Sequence, residues 1–472
     1  MRTLGRHRTC DRGRRDGGGQ KGGFTTAFAA EIAAEIDALV GPGAVDTWDL
    51  EAIETAARGQ ALTVAAHAVA QRLNADHTDQ VGPTVPCARC HQPAHYAGRR
   101  PKTFESVLGP LRLERAYYHC TACAAGRCPR DAALGLDGTS LSPAVTRLVG
   151  IVGAMVSFVE GHALLHDLAG VNVEAKQVER TAEALGRAIA ADEHGVVTPD
   201  PPSAPTMYLG VDGTGIPIRR AELTGRAGKQ PDGSAKTREV KLVTVWTAED
   251  HDAEGLAVRD PGSVSYSAAI ESAASPNAVD ALSAFAQRVD REAQRRGFDH
   301  APRRVVIGDG AAWIWHLADD LFPGAIQIVD LFHAKQHLSD VAKSLYGAGT
   351  DLCRQWARLR HDELDAGQVD DLLEALWTHA PTNDEARQCL EYVTHHRARL
   401  RYPTFRAQGL CVSSGVVEAG CKVAIGTRLK RTGMHWTAAG ADAIIALRCC
   451  RLSGRFEDFW ERRSAPAPRE AA

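Results

Sequence analysis

The chain has 472 residues, of which 44% are hydrophobic and 24% are charged. This is the composition of a globular protein with about three domains, at roughly 150 residues each. The formal net charge is only −3, so the total charge indicates no class of partner. No stretch reaches the roughly 18 consecutive apolar residues of a membrane span. The N-terminus lacks the apolar segment of a secretory signal, so we expect a cytoplasmic protein and no membrane partner.

The two ends of the chain differ from the rest in composition. Residues 1–23 are rich in Gly and Arg and nearly free of apolar residues, which predicts a disordered basic tail, with a weak phosphate-binding arm as the alternative. Residues 24–80 carry apolar residues at helical spacing and predict an N-terminal helical segment. Residues 464–472 are expected to form a short tail.

Two CxxC pairs lie in residues 81–130. They are Cys87, Cys90, Cys120 and Cys123. Between the pairs, the stretch from Phe104 to Tyr118 alternates around Gly109-Pro110 as the strands of a hairpin do. Four thiolates on two tight knuckles complete a tetrahedral zinc site, and without a secretion signal metal binding is favoured over disulfides. The sequence predicts a zinc ribbon with structural Zn²⁺, and four unrelated reduced cysteines are the alternative.

Residues 131–197 predict a helix-turn-helix DNA-binding segment. Ser142-Pro143 has the composition of a helix N-cap followed by Pro at the first helical position. One short helix would end at Gly170 and the next would begin at Glu174, and two short helices joined by a Gly-containing turn are typical of this motif. The second helix would present Lys176, Gln177 and Arg180 to DNA. A plain helical bundle is the alternative.

Two aspartates follow apolar strands in the second half of the chain. Asp212 comes directly after Met207–Val211, and Asp309 comes directly after Arg304–Gly308. A carboxylate is costly to bury without a cation or donors, and Mg²⁺ is held by a few carboxylates, waters and phosphate oxygens. Glu418, near the start of a predicted helix of small residues, is the candidate third ligand. A turn or cap residue is the alternative for each acid taken alone.

The three acids, with a helical stretch before the glutamate, resemble the active site of a DDE transposase with an RNase H-like fold. The segment Asp330–His333 resembles the D-x-x-H signature of Mutator-like and related transposases. The segments Lys236–Lys241 and Gly420–Arg431 are most similar to the ISKra4 family of bacterial insertion-sequence transposases. The resemblance covers about residues 80–460.

This resemblance implies an enzyme that uses Mg²⁺ (or Mn²⁺) to cut DNA at transposon ends and to join the freed 3′-hydroxyl to target DNA. It implies that Asp212, Asp309 and Glu418 bind the metal and are catalytic, and that His333 orients a phosphate or a metal-bound water. A structural histidine beside an apolar helix is the alternative for His333. The partners would be terminal inverted repeats, target DNA and a second copy of the chain, in a homodimer or a higher oligomer on DNA at the bacterial nucleoid.

The predicted fold class is therefore an α/β RNase H-like catalytic core interrupted by an all-helical insertion. A small zinc ribbon and a helix-turn-helix segment precede it. The core would occupy residues 206–346 and 406–463, and the insertion residues 347–405.

A local excess of positive charge follows Glu418. Between Arg401 and Arg463 there are 11 Lys and Arg against 5 Asp and Glu, a difference of 11 − 5 = +6. Its basic and aromatic members are Lys422, Arg428, Lys430, Arg431, His435 and Trp436. We expect them to hold DNA backbone beside the active site, with Trp436 stacking on a base. A solvated surface is the alternative.

Two other function classes fit parts of the sequence. One is a DNA-binding protein derived from a transposase that has lost its chemistry. The other is a sugar-kinase-like phosphotransferase, because Leu209–Gly215 is similar to the first phosphate loop of those enzymes. A second glycine-rich phosphate loop, which such kinases need, is not found.

Overall fold

The computed structural model describes residues 30, 32–34, 36–37, 48–195, 204–228, 233, 235–273, 282–413 and 415–464. The predicted basic tail, part of the predicted N-terminal helical segment and nearly all of the C-terminal tail lie outside the described residues. The chain divides into two compact units, Met1–Ser140 and Leu141–Ala472. Within the described ranges, no helix combines the length and the apolarity needed to cross a bilayer.

The first unit contains a four-stranded antiparallel sheet, which helices precede and follow. Its elements are α1 (Leu50–Ala75), β1 (Thr84–Pro86), β2 (Pro93–Ser106), β3 (Gly109–His119), β4 (Gly126–Arg127) and α2 (Pro129–Leu134). The strands pair in chain order. The predicted hairpin is confirmed, with Phe104 paired to Leu111, and Gly109 at φ +98° begins its second strand.

A buried aspartate fastens the sheet of the first unit. The Asp79 carboxylate accepts hydrogen bonds from Arg99 Nη1 at 2.9 Å and from the Ala116 backbone N–H at 2.8 Å. Arg130 Nη2 lies 3.3 Å from the same carboxylate. Because a buried charge is tolerated when it is paired and hydrogen-bonded, these partners stabilise the segment that leads into the strands.

The second unit packs many helices around one mixed sheet. The strands of the sheet are β5 (Thr206–Pro217), β6 (Thr237–Thr247), β9 (Ser265–Ala269), β10 (Arg303–Gly308) and β11 (Ile326–Val329). Their order is β11-β10-β5-β6-β9. Strands β5, β10 and β11 run parallel, whereas β6 is antiparallel to both of its neighbours. A separate two-stranded ribbon joins β7 (Asp250–His251) and β8 (Ala257–Val258).

Helices precede, connect and follow these strands. Before the sheet come α3 (Pro143–Met155), α4 (Phe158–Ala169) and α5 (Ala175–Glu193). Between and after the strands come α6 (Ala284–Arg296), α7 (Ala312–Leu321), α8 (Leu331–Tyr346), α9 (Asp351–Ala366), α10 (Val369–His379), α11 (Asp384–His396) and α12 (Tyr402–Ala407). The last are α13 (Gly415–Gly420), a π-helix (Cys421–Gly426), α14 (Thr427–Leu429), α15 (Ala438–Leu452) and α16 (Phe456–Ser464).

The predicted N-cap at Ser142 and the predicted helix end at Gly170 are confirmed. Ser142 Oγ accepts from the Val145 N–H at 3.2 Å, and Ser157 and Glu160 form a capping box at the start of α4. Gly170 ends that helix in the left-handed region, at φ +68°. The two helices of the predicted helix-turn-helix are therefore present, and α3 and α15 pack against the second of them.

Helices α5 and α15 approach each other so closely that only a glycine fits. A Cβ added to Gly186 would lie 1.9 Å from the backbone oxygen of Ala443. We expect Gly186→Ala to destabilise the second unit by at least about 2 kcal/mol, because the backbone atom in its way cannot move as a side chain can. Urea unfolding would measure this.

The matched control is Gly59→Ala, because a Cβ on Gly59 in α1 meets no atom within 4 Å. Alanine there should stabilise α1 by about 0.5–1 kcal/mol through helix propensity alone. Equal stability of the Gly186→Ala variant and the wild type would contradict the close helix contact.

Candidate active site

Asp212 and Asp309 lie where the pairing of two parallel strands ends. The β5–β10 ladder ends at Gly210 paired with Ile307, and each aspartate follows within two residues. The prediction that Asp212 ends its strand is wrong in detail, because β5 continues to Pro217 and pairs Asp212 with Leu242 of β6. The sheet therefore fixes the backbone of Asp212 on one side and leaves the other side open.

The surroundings of Asp212 disfavour its negative charge. Burial raises the pKa of the carboxyl, and the nearby Asp309 carboxylate raises it further. The Cys421 thiol, the Gly213 N–H at 2.6 Å and His333 act in the opposite direction. Two acids that repel each other in a partly buried site are stabilised when a cation binds between them.

The helical insertion holds the Asp309 loop. Asp309 Oδ1 accepts from the Ala311 N–H at 2.9 Å, and the Tyr392 hydroxyl of α11 donates to the Asp309 carbonyl at 2.9 Å. Gly310 has φ +104°, and a Cβ there would lie 2.4 Å from the Tyr392 ring. The aspartate is thus positioned by a helix more than 80 residues further along the chain.

We expect Tyr392→Phe to reduce stability by about 1 kcal/mol, because the Asp309 carbonyl loses a partner. If that hydrogen bond also positions the carboxylate, DNA cleavage should fall more than the folded fraction does. Denaturant unfolding and cleavage rates measured together would separate the two effects. Tyr346→Phe, in α8 and half-buried, is the control and should change neither.

Asp330 and His333, the acid and the histidine of the D-x-x-H segment, lie in different surroundings. Asp330 is buried at the N-cap of α8, where its Oδ1 accepts from the His333 N–H at 2.8 Å. His333 lies on the first turn of that helix and acts electrostatically on both Asp212 and Glu418. Asp330 is thus a structural cap that fixes the backbone of His333 near the carboxylates.

Glu418 is carried over the sheet by a helix that lies unusually close to it. A Cβ on Gly210 would lie 2.1 Å from Val417, and one on Gly420 would lie 3.0 Å from Leu242. The Glu418 side chain is 57% exposed and pairs with Lys422 Nζ at 2.7 Å. The hydrogen bond and the charge of Lys422 lower the pKa of Glu418, and His333 adds to this.

The three acids do not converge into a closed ligand cluster. Within the described part of the chain, the four cysteines are the only group of three or more His, Cys, Asp or Glu residues whose ligand atoms all lie within 4.8 Å of one another. Instead, Asp212 and Asp309 lie near each other at the sheet, and Glu418 is paired with Lys422. Waters and substrate oxygens would have to complete a magnesium shell there.

Two of the predicted basic residues contact polar side chains, and one of these contacts lies beside Asp212. Lys430 Nζ is hydrogen-bonded to Thr214, two residues beyond Asp212. Arg431 Nη2 donates to the Glu160 carboxylate at 2.6 Å. The hydrogen bond from Arg431 holds the pKa of Glu160 at about 2, with help from Ser157.

Arg428 and Trp436 are not on the surface, which corrects the expectation that they meet DNA there. Arg428 is fully buried, its Nε donates to the Gly153 carbonyl at 3.1 Å, and its guanidinium lies 4.7 Å from the Phe158 ring centre. Trp436 is 7% exposed, and its Nε1 donates to the Leu429 carbonyl at 3.0 Å. Both residues belong to the basic and aromatic segment predicted to bind DNA, but their side chains pack inside the protein.

The predicted reading residues of the helix-turn-helix lie on the first turns of α5. Lys176 and Arg180 are exposed, and Gln177 is half-buried. Lys176 pairs with Glu179 at 2.7 Å, so its charge is partly neutralised by its own helix. A DNA phosphate would have to compete with that carboxylate.

The four cysteines of the first unit form a compact cluster. Their ligand atoms lie within 4.8 Å of one another, with Cys87 Sγ 3.6 Å from Cys123 Sγ and Cys90 Sγ 3.5 Å from Cys120 Sγ. Backbone N–H groups of Arg89 and Cys90 lower the pKa of Cys87 to about 6. Four converging sulfurs are a donor set that fits a metal such as zinc.

Each CxxC pair is followed by a residue in the left-handed region. His91 has φ 59° and Ala124 has φ 57°. Backbone hydrogen bonds close both knuckles, from Cys87 N to Gln92 O and from Cys120 N to Ala125 O, each at 2.9 Å. A non-glycine residue at positive φ is uncommon, so the two knuckles share a costly geometry that metal binding would stabilise.

Two further residues beside the carboxylates, Cys421 and Tyr392, have no recognisable signal in the sequence. Cys421 follows the glutamate helix directly and reaches Asp212, but a buried cysteine has no recognisable signal in one sequence. Tyr392 lies in a helical stretch whose contact with the sheet depends on long-range packing. Neither residue type nor spacing could have identified them.

No protein-family model matches the sequence, and no curated protein matches it. Among solved structures, the Drosophila P element transposase strand transfer complex is similar at 9% identity, over 71% of this chain and 84% of that chain. The TM-score is 0.25. A likeness at this level identifies neither fold nor family, so function has to be argued from the side chains.

Proposed function

We propose that this protein is a DDE transposase of a bacterial insertion sequence, resembling the ISKra4 family, that cuts DNA at transposon ends and joins it to target DNA. The observation that carries the proposal is the pair Asp212 and Asp309 on adjacent parallel strands. Burial and mutual repulsion raise the pKa of Asp212 there. His333 acts on both Asp212 and Glu418, which links the third acid to the pair.

The sheet supports an RNase H-like core. Three antiparallel strands (β9, β6 and β5) are continued by two strands parallel to β5, and helices α6 and α7 provide the connections. This is the order and direction of strands that such a core has. Helices α9 to α12 then lie between β11 and the glutamate, as the predicted insertion does.

Asp212, Asp309 and Glu418 would hold Mg²⁺ or Mn²⁺. When bound, the metal activates the attacking oxygen and stabilises the leaving one during phosphoryl transfer. To bind the metal, Glu418 must break its ion pair with Lys422. Lys422 can then pair with a DNA phosphate. Lys430 contacts Thr214, close enough to Asp212 to bind a phosphate of the same DNA strand.

The remaining parts supply DNA contacts and stability. The exposed Lys176 and Arg180 of α5, together with Lys422 and Lys430, form the proposed DNA surface of the second unit. The cysteine cluster would hold a structural Zn²⁺ with all four positions filled by protein. Two transposon ends require two active sites, so we propose a homodimer or a higher oligomer on DNA, acting at the nucleoid.

The function is tested with purified protein and supercoiled plasmid carrying the DNA that flanks this gene on both sides. Mg²⁺ should produce nicks or breaks at fixed positions in the flanks, and the released 3′-ends should appear joined to new sites. Sequencing of the junctions gives the positions. Cleavage that is absent with both Mg²⁺ and Mn²⁺ would contradict the proposal.

One observation favours a second candidate, a DNA-binding protein without catalysis. Glu418 is mostly exposed and already paired with Lys422, as expected if it no longer binds metal. In that case the flanking DNA should be bound specifically and never cut. The plasmid assay, combined with a binding assay on the same DNA, separates the two.

A further inference from the structure

A cavity of about 450 Å³ lies between the helix-turn-helix and the loop that precedes α15. Its walls come from the start of α4, the first turns of α5, the end of β5 and residues 433–437. The volume falls within the roughly 300–1,000 Å³ of small-molecule sites. None of the contacts described above for the carboxylates involves this cavity.

The inner wall of the cavity holds a buried cation with an unused hydrogen bond. Arg428 is fully buried, and its Nη2 is buried with no hydrogen-bond partner. The rings of Phe158 and Trp436 lie 4.7 and 5.1 Å from its guanidinium. Burial, with Arg448 and Arg431 nearby, lowers the pKa of Arg428 to about 10. An unsatisfied buried donor is costly, and a ligand that carries an acceptor atom would offset that cost.

The mouth of the cavity is charged and part of its lining is apolar. Lys176, Arg219 and His435 are exposed at the cavity, Glu179 and Glu183 also line it, and Glu179 pairs with Lys176 at 2.7 Å. Phe158 and Trp436 supply aromatic wall. A small inorganic anion would pair with Lys176 and Arg219 but would make no contact with the rings of Phe158 and Trp436. A nucleotide uses both, because it joins a phosphate to a flat ring that carries acceptor atoms.

The loop that forms one wall is fixed rather than free. The backbone N–H of Trp436 donates to the Pro217 carbonyl at 3.1 Å, and the backbone N–H of Arg219 donates to the Trp436 carbonyl at 2.9 Å. These bonds join the wall to the end of β5, the strand that carries Asp212. The cavity is therefore held at a set distance from the carboxylates.

We propose that this cavity binds a single nucleotide of the DNA substrate, with the base against Arg428 and the aromatic walls and the phosphate at Lys176 and Arg219. This assignment rests on the proposed function for the identity of the DNA. Seven residues of strand separate Asp212 from Arg219, at most roughly 23 Å. At 3.4 Å per base pair, the bound nucleotide lies within about seven positions of the cleaved bond.

The test uses the full chain without added divalent cation. Each of the four deoxynucleoside 5′-monophosphates is titrated by calorimetry, alongside deoxyribose 5-phosphate and inorganic phosphate. Nucleotides should bind at least about fivefold more tightly than deoxyribose 5-phosphate, because the base contributes. Equal affinity for phosphate alone, or no nucleotide binding, would overturn the proposal.

Val159→Trp is the diagnostic variant, because Val159 lines the cavity and is 69% exposed, so a larger side chain fills the cavity without disturbing the core. It should weaken nucleotide binding at least about tenfold with no loss of thermal stability. Val81→Trp, at a position 62% exposed in the other unit, is the matched control. If Val159→Trp does not fold, Lys176→Ala should weaken binding instead. Unchanged affinity in the folded variant would place the nucleotide elsewhere and overturn the assignment.

A competition arm identifies the source of the nucleotide. Single-stranded dT20 should displace dTMP from the wild type, and failure to compete would make this a site for free nucleotides and overturn the DNA assignment. Asp212→Asn should bind nucleotides as the wild type does, since the cavity does not include the carboxylates. Nucleotide binding in a protein that never cuts DNA would contradict the proposed function and leave the cavity assignment standing.

Discussion

Asp212→Asn and Asp309→Asn are each expected to reduce metal-dependent DNA cleavage at least about 100-fold, since loss of a residue that only supports a metal ligand already costs 10–100-fold. The geometry of asparagine is nearly the same, but its amide brings no charge to the cation. Binding to the flanking DNA should persist, because these acids repel phosphates rather than attract them. Cleavage of labelled plasmid and gel-shift binding would be measured on the same preparations.

The Asp212→Asn variant should also be more stable than the wild type without metal. Burial and Asp309 raise the pKa of Asp212 in the folded protein, so this carboxyl destabilises the fold increasingly as the pH rises from its ordinary pKa to the folded pKa, and fully above that. Asparagine removes that cost, and we expect the melting temperature at pH 7 to rise by roughly 2 °C. The gain should disappear in acid, where Asp212 is protonated in both states.

Asp320→Asn is the matched control for both measurements. Asp320 is exposed on α7, away from the β5–β10 ladder, and should leave cleavage, stability and metal response unchanged. Added Mg²⁺ or Mn²⁺ should raise the melting temperature of the wild type and of this control but not of Asp212→Asn. Full cleavage activity in either active-site variant would rule out a metal site at these acids.

Loss of the metal from the cysteine cluster is expected to unfold the first unit. Structural zinc sites contribute about 10 kcal/mol or more of apparent folding free energy, and the cluster has only a small hydrophobic core of its own around Val85, Ala116 and Tyr118. Cys120→Ala should therefore remove the metal and most hydrogen-exchange protection from β1 to β4. The core of the second unit is separate and should keep its protection.

Cys128→Ala provides the control, because Cys128 is also buried in the first unit but lies outside the cluster. It should retain one zinc per chain by elemental analysis and keep the protection of the strands. Treatment of the wild type with a strong chelator should reproduce the Cys120→Ala result. A wild type purified without any bound metal yet fully protected would contradict a structural metal site.

Local patterns in the sequence were sufficient for many elements. The helix Leu331–Tyr346 is one example, because a cap, a helical apolar period and a terminal glycine all agree there. The cysteine pairs were also predictable, since spacing and a hairpin between them bring both knuckles together. For Asp212 and Asp309 the apolar strands before them were predictable, but the continuation of β5 to Pro217 was not.

What could not be predicted depends on packing between distant segments. Arg428 has the same local pattern as Lys430, yet Phe158 and Gly153, about 270 residues earlier, decide that it is buried. The all-helical stretch predicted over residues 347–405 is divided into separate helices, because turns at Gly367 and Pro381 fold the chain back, and the sequence pattern did not show how these helices pack. The link from Tyr392 to Asp309 is a contact of the same kind, and sequence spacing carries no information about it.

The π-helix that follows Glu418 sets the rotational phase between the glutamate and the basic residues after it. Cys421–Gly426 contains the wider turn, which accommodates one residue more than an α-helix of equal rise. Conversion of these six residues to a regular α-helix, with no residue removed, would turn Glu418 by about 100° relative to Lys430. Every charge would remain in the chain, but the acid and the lysine would no longer face the same strand of DNA. Insertions should therefore be tolerated far less in these six residues than in the loops around them.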